Sequence, residues 1–169
     1  MAPLVVLFGS TLLLRAAGAL GVRPLRTWTA SARGGLALML LFTAASHFAP
    51  TTRADLVRMV PPVFGNPGLW VTLTGIAEIA GAVGLLVPAT RRLAGICLVL
   101  LMVALFPANI HAARESLEIA GRPATPLPLR VAMQLLFVAW ILWVSRTRAD
   151  TRRAGEAPVR QPEASGRHR

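Results

Sequence analysis

Charged residues are scarce in this chain. Only 15% of its 169 residues are charged and 54% are hydrophobic, whereas an ordinary globular domain is about one quarter charged. The charges are also segregated, so that long stretches carry one ionisable residue or none. This composition argues against an ordinary water-soluble domain and indicates a membrane protein.

Cysteine is almost absent as well. The single cysteine, Cys97, lies within an apolar run, which excludes an intrachain disulfide and dithiol exchange within the chain. The histidines, His47, His111 and His168, follow no metal-ligand spacing, and no glycine-rich phosphate loop occurs. The sequence therefore predicts no metal site and shows no cofactor motif.

Five apolar stretches predict an all-α integral membrane bundle. A helix needs about 20 residues to cross the hydrocarbon core, with a lower limit of about 17. Four stretches are long enough, and the short second one is flanked by Arg33 and His47, which can reach the interface. The runs lack the alternation of lipid-facing β-strands. The predicted spans are about residues 3–21, 34–48, 69–87, 93–110 and 127–145.

The arginines predict the orientation of these spans, because basic residues in short loops stay in the cytoplasm. The first loop, the turn between the third and fourth spans and the tail are rich in arginine. Five crossings then place the N-terminus outside and the C-terminus inside, in a cell inner (cytoplasmic) membrane. The alternative is four spans after a signal peptide, but Arg15 interrupts the first run and no basic residue follows Met1 directly.

The net charge of +11 does not by itself indicate nucleic-acid binding. Seven of the eighteen arginines lie in residues 146–169, and most others flank spans, where they contact anionic lipid headgroups. The tail mixes Pro, Gly, Ser and charge with few apolar residues, so the sequence predicts a disordered basic tail in the cytoplasm. We therefore expect the lipid bilayer, and no nucleic acid, as a partner.

One carboxylate interrupts the third span. Glu78 lies nine residues from Leu69 and nine from Val87, which places it near the bilayer midplane. An ionised group there costs about 3 kcal/mol or more, so the side chain must face protein or water. Its helical neighbours Thr74, Gly75, Gly81 and Ala82 are small, as at close helix interfaces. Glu78 is therefore predicted to lie between helices, uncharged unless a cation or hydrogen-bond donors stabilise its charge.

Other polar residues are predicted to share the outer half of the bundle with Glu78. Pro107 removes a main-chain donor and is expected to leave the carbonyl of Val103 available. Arg15 is a possible ion-pair partner of Glu78. Each of these residues also has a purely structural interpretation, as a packing or interfacial group. The candidate ligand or proton pocket comprises Glu78, His47, Asn109, His111, Arg130 and Gln134.

The loop TTRADLVRMVPPVFGNPG is predicted to contain a short interfacial helix. Thr52 can cap a helix that runs to Val60 and ends at Pro61, with Arg53 and Arg58 facing water. Such a helix would lie flat on the outer surface. It could cover the pocket or simply connect two spans.

Several motifs together resemble the DoxX family of small bacterial membrane proteins. They are RGGLALMLLFTAASHF, MVPP, GIAEIAGAVGLL, RRLAG, FPANIH, PLPLR and WILW, and they cover roughly residues 33–145. The resemblance implies a four-helix core, to which the first span would add an extra N-terminal helix. It also implies a link to quinones, since some DoxX-like proteins are membrane subunits of quinone-linked oxidoreductases, including thiosulfate:quinone oxidoreductase. By this analogy His47, Glu78, Asn109 and Arg130 would surround a quinone headgroup.

Three functions remain open at this stage. The first is a quinone-facing or membrane subunit of an oxidoreductase complex, with partner proteins and no catalytic residue of its own assigned. The second is a small-solute or proton-coupled transporter, suggested by an intramembrane carboxylate near a proline-broken helix. The third is a scaffold or assembly factor, possible also as an oligomer, suggested by helix faces rich in small residues.

Overall fold

The computed structural model describes residues 2–119, 121–123 and 125–146. Except for Arg146, the predicted disordered tail lies outside these residues. Within them the architecture is helical, with one antiparallel ladder of two-residue strands, β1 (Glu118–Ile119) and β2 (Arg122–Pro123). The helices are α1 (Ala2–Ala19), α2 (Trp28–Phe48), α3 (Pro50–Met59), α4 (Pro67–Leu86), α5 (Arg91–Ala104), α6 (Phe106–Arg114) and α7 (Leu127–Ser145).

Within the described residues, four helical segments are long and apolar enough to cross a membrane. They are α1, α4, α5 continued by α6, and α7; the bent pair α2 and α3 raises the number to five. Many of their large apolar side chains are exposed, for example Leu13 at 74%, Leu93 at 64% and Leu135 at 64%. Such surfaces suit lipid rather than water, so the fold fits a multi-pass membrane protein.

The second predicted span is longer in the structure than its apolar run. It begins at Trp28 rather than Gly34, because Thr27 caps the helix by accepting a hydrogen bond from the Ala30 amide at 3.2 Å. The resulting 21 residues reach about 31 Å at 1.5 Å per residue. The second helix therefore does not need a locally thinned bilayer.

Helices α2, α4, α5 and α7 form a closed ring. α2 packs against α4 and α7, and α5 packs against the other side of both. α1 packs on α2 outside this ring, and its Phe8 contacts Trp140 of α7 edge to face at 5.3 Å. Fully buried apolar side chains from every spanning segment form one continuous core: Leu7, Leu36, Leu40, Leu85, Leu98, Ile141 and Val144.

The short helix predicted in the long loop is present, with different bounds. α3 is bent by 89° from α2 and begins at Pro50, which occupies its first turn. The prediction that Thr52 caps this helix is wrong, because its hydroxyl donates to the Ser46 carbonyl of α2 at 2.8 Å instead. α3 packs against α4 and α6 and lies at one end of the bundle, hereafter the α3 end.

Candidate functional site

Glu78 is enclosed between α4 and α2. Glu78 is only 5% exposed, and its Oε2 atom lies 2.8 Å from the Thr43 hydroxyl. The close approach depends on small residues of α4, since Gly75 lies against His47 and Phe48 while Gly81 lies against Leu98. A bulkier residue at either position would separate the helices that shelter the carboxyl group.

His47 lies beside this carboxyl group. Its Nδ1 is 2.8 Å from the Val71 carbonyl, so Nδ1 carries a proton and donates it. The other ring nitrogen, Nε2, is 3.8 Å from Oε1 of Glu78, beyond hydrogen-bond distance. Nε2 and the carboxyl group are both buried and face each other, so one exchangeable proton is sufficient for the pair. On the carboxyl group this proton leaves both groups neutral, and on Nε2 it gives an ion pair.

Thr43 adds a constraint on that proton. Its hydroxyl has one hydrogen but two neighbouring acceptors, the Leu40 carbonyl at 3.0 Å and Oε2 of Glu78 at 2.8 Å. If the hydrogen goes to Leu40, the hydroxyl oxygen accepts from a protonated Glu78; otherwise it donates to a carboxylate. The Thr43 side chain therefore accommodates both protonation states of Glu78.

Arg53 belongs to the same cluster, although we expected it to face water. Its guanidinium donates to the His47 carbonyl at 2.7 Å, the Gly68 carbonyl at 3.0 Å and the Thr72 hydroxyl at 2.9 Å. It thereby satisfies a carbonyl at the C-terminal end of α2 and links α2 and α4 to α3. The sequence does show an arginine a few residues after the end of α2, which could have indicated a contact with the carbonyls at that end. The 89° bend between α2 and α3, on which the contact depends, could not be predicted from it.

Replacing Arg53 by glutamine is expected to lower the free energy of unfolding by about 2 kcal/mol, because hydrogen bonds from a charged donor are lost to partly buried acceptors. Arg58→Gln is the control: it lies on the same helix and removes the same charge, but the exposed Arg58–Asp55 pair contributes at most about 1 kcal/mol. Denaturant unfolding in detergent measures both. Equal losses would contradict the linking role of Arg53.

A second polar group lies where α6 and α7 meet at the α3 end. Nη1 of Arg130 donates to Oδ1 of Asn109 at 2.7 Å, and its Nε donates to the Thr125 carbonyl at 2.8 Å. One turn deeper, Nε2 of Gln134 donates to the Met102 carbonyl. The Oε1 atom of Gln134 is buried and has no hydrogen-bond partner among the described residues.

The helix break between α5 and α6 provides the Met102 carbonyl. The two helices meet at Leu105, two residues before Pro107, which has no amide hydrogen. We expected the Val103 carbonyl to become available; the carbonyl that a side chain binds in the structure is that of Met102.

A cavity of about 280 Å³ connects the two polar groups. Its wall is mostly apolar, with polar side chains from four elements projecting into it. No group of three or more His, Cys, Asp or Glu able to hold a metal occurs in the described part of the chain. The cavity is lined by Pro3, Met39, Leu40, Thr43, Glu78, Met102, Leu105, Asn109, Thr125, Arg130, Met133, Gln134 and Phe137.

The remaining candidate residues lie elsewhere. His47 contacts Glu78 without lining the cavity, and half-buried His111 on α6 does not line it either. Arg15 does not pair with Glu78, because its guanidinium lies 5.3 Å from the Trp28 ring. Trp28 is fifteen residues from Thr43 on α2, or about 22 Å at 1.5 Å per residue. The proposed ion pair of Arg15 and Glu78 is therefore excluded.

Comparison with known proteins gives a family and no activity. Residues 36–145, well over half of the chain, match the family described as domain of unknown function DUF8561, and the chain belongs to that family. The matched region runs from within α2 to the end of α7 and leaves out α1. No curated protein and no solved structure matches the chain.

Proposed function

We propose that this DUF8561 protein binds the headgroup of a membrane quinol or quinone in the cavity between α2, α4, α5/α6 and α7. The observation that carries the proposal is the cavity itself, whose mostly apolar wall includes a carboxyl group, an arginine and an amide oxygen that has no partner among the described residues. Binding sites for small molecules commonly combine an apolar wall with a few converging polar groups. The resemblance to DoxX proteins supports the same ligand class.

The size of the cavity fits a headgroup rather than a whole lipid. At about 280 Å³ it lies near the lower end of ligand pockets, roughly 300–1,000 Å³. The ring of Phe137 and the thioethers of Met102 and Met133 offer polarizable contacts to the flat quinone ring. The isoprenoid tail of a quinone would then remain outside, along the apolar surface of the bundle.

The polar groups fit a ligand that both donates and accepts hydrogen bonds. Oε1 of Gln134 is a buried acceptor with no donor in the described part of the chain, which is costly unless a ligand or water supplies one. Arg130 carries only donors. A quinol hydroxyl can donate to Oε1 of Gln134, and a quinone carbonyl can accept from Arg130. A bound quinol releases protons and electrons when it is oxidised. The protein's own part is to orient the ring and to hold or move a proton at Glu78.

Within this proposal the protein is the membrane subunit of an oxidoreductase complex in a bacterial inner membrane. The loop arginines support an outside N-terminus and a cytoplasmic C-terminus. With that orientation the α3 end and the cavity lie in the outer half of the membrane. A four-helix DoxX-like core would correspond to the ring of α2, α4, α5 and α7, with α1 as the added helix.

Quinol binding by the purified protein in lipid nanodiscs tests the proposal. Replacing Gln134 by methionine removes the unpaired acceptor and is expected to weaken binding of a reduced short-chain ubiquinol about tenfold, since one hydrogen bond to a buried group is lost. Leu135→Met, next to Gln134 on α7 but 64% exposed and outside the cavity lining, changes no group of the cavity and should leave affinity within twofold. Absence of saturable binding to the unaltered protein would refute the proposal.

A proton-coupled transporter is the second candidate. The break between α5 and α6 lies directly at the cavity, and broken helices line the substrate sites of many transporters. Proteoliposomes with an imposed proton gradient and a panel of small organic solutes would show uptake that Glu78→Gln abolishes. Uptake no greater than that of empty liposomes would remove this candidate.

A further inference from the structure

A second site lies at the end of the bundle opposite α3, where Arg33 is held between two helices. Arg33 is the sixth residue of α2 and is partly buried. Its Nε donates to the Val144 carbonyl in the last turn of α7 at 3.0 Å. This bond fixes the guanidinium group at the junction of α2 and α7 and satisfies a carbonyl at a helix C-terminus.

Arg91 is fixed in the same way on the neighbouring pair of helices. It is the first residue of α5, is partly buried, and donates from Nε to the Leu85 carbonyl near the end of α4 at 3.2 Å. The two arginines are near enough for their charges to repel each other. A cation in the first turn of a helix is also opposite in sign to what the helix dipole favours.

The described residues supply no carboxylate to offset these charges. Their acidic side chains are Asp55 on α3, Glu78 midway along α4, Glu115 just after α6 and Glu118 in β1, all distant from this end along their helices. The arginines at this end, by contrast, are Arg15, Arg23, Arg26, Arg33, Arg91, Arg92 and Arg146. Two fixed, partly desolvated cations with no carboxylate near them among the described residues favour an anion from the surroundings.

The surface beside Arg91 shows which kind of anion fits. Leu86 and Val87 at the end of α4 are 53% and 43% exposed, and Leu93 and Ile96 on the first turns of α5 are 64% and 51% exposed. In the bilayer this apolar surface is in contact with lipid acyl chains. A lipid would place its phosphate at the arginines and its acyl chains along α4 and α5.

We propose that Arg33 and Arg91 form a specific binding site for the phosphate group of an anionic phospholipid. The site is distinct from the general attraction of basic loops to a charged membrane, because two guanidinium groups are oriented by main-chain carbonyls of α7 and α4. Arginine suits this role since its fork can donate two parallel hydrogen bonds to one phosphate while Nε stays bound to the protein.

Thermal unfolding of the full chain in a neutral detergent tests the site, with intrinsic tryptophan fluorescence as the readout. Titration with short-chain phosphatidylglycerol should raise the midpoint, and phosphatidylcholine should act only at much higher concentration. Arg33→Gln with Arg91→Gln should weaken the phosphatidylglycerol effect about tenfold or more. The matched control is Arg23→Gln with Arg26→Gln, which removes the same charge from exposed positions and should weaken it less than twofold.

Three results would overturn the proposal. Equal weakening in the two double variants would show diffuse surface charge rather than a site. An equal response to phosphatidylcholine would show that the lipid need not be anionic. An equal midpoint shift with inorganic phosphate, at the same concentration, would show a site for a soluble anion. If the double variant does not fold, Arg91→Gln compared with Arg23→Gln decides in the same way, with about fivefold weakening expected for the first alone.

Discussion

Replacing Gly35 by alanine is expected to lower the free energy of unfolding by about 3 kcal/mol. An added Cβ would overlap the Thr11 hydroxyl and would lie 3.0 Å from the Thr11 amide nitrogen and 3.1 Å from the Leu7 carbonyl oxygen. Two of these atoms belong to the main chain of α1, which no rotamer change can move. α1 would have to shift as a whole, and overpacking of this kind reaches the upper part of the usual range of about 1–3 kcal/mol.

Gly9→Ala provides the control for this prediction. Gly9 also lies in a spanning helix, but nothing lies within 4 Å of an added Cβ there. Because alanine has the higher helix propensity, the change should be neutral or slightly stabilising. Denaturant unfolding in the same detergent measures both variants. An unchanged stability of Gly35→Ala would mean that α1 is not packed on α2 as described.

Replacing Glu78 by glutamine is expected to abolish proton exchange on ligand binding and to lower quinol affinity by between tenfold and a hundredfold. The amide keeps the size of the side chain and can still accept from Thr43, so stability should change little. What it loses is the exchangeable proton of the carboxyl group, which faces Nε2 of His47 at 3.8 Å. The prediction rests on the proposed quinol site, and its size follows from the loss of a hydrogen bond to a charged group, which contributes about 1.5–3 kcal/mol.

Calorimetry in buffers of different ionisation enthalpy measures this proton exchange directly. In the unaltered protein the apparent binding enthalpy should vary with the buffer, and in Glu78→Gln it should not. Glu115→Gln, an exposed carboxylate next to α6, removes the same charge and should keep the buffer dependence. A buffer dependence that survives in Glu78→Gln would assign the proton to another group.

The helices could be predicted because hydrocarbon imposes one requirement, an unbroken apolar length of main chain that satisfies its own hydrogen bonds. The start of α2 was missed for a physical reason. Ser31 and Arg33 are polar, yet both are satisfied inside the bundle by the main-chain carbonyls of Leu25 and Val144. Apolarity alone therefore underestimates a helix whose polar residues bind neighbouring main chain.

Of the residues in the candidate site, some could be predicted from the sequence and others could not. Glu78, Gln134 and Arg130 could be selected from sequence because polar groups at membrane depth are costly and must have partners. Thr43 and Arg53 could not be selected. A helical threonine can satisfy itself on its own helix, and the contacts of Arg53 depend on the direction that α3 takes after Pro50. Arg15 was assigned to the wrong partner, because its long side chain was expected to reach Glu78, whereas its guanidinium lies against the Trp28 ring at the start of α2.

The position of Glu78 after His47 and Thr43 in the chain has a consequence for biogenesis. The helices of a nascent membrane protein enter the lipid in the order of their synthesis, and α2 leaves the ribosome before α4. When the carboxyl group reaches the bilayer, the hydroxyl and the imidazole that receive it are already there, whereas α5 and α7 are still to be made. The translocon can thus release α4 into the lipid already paired with α2. Glu78 then never faces acyl chains alone.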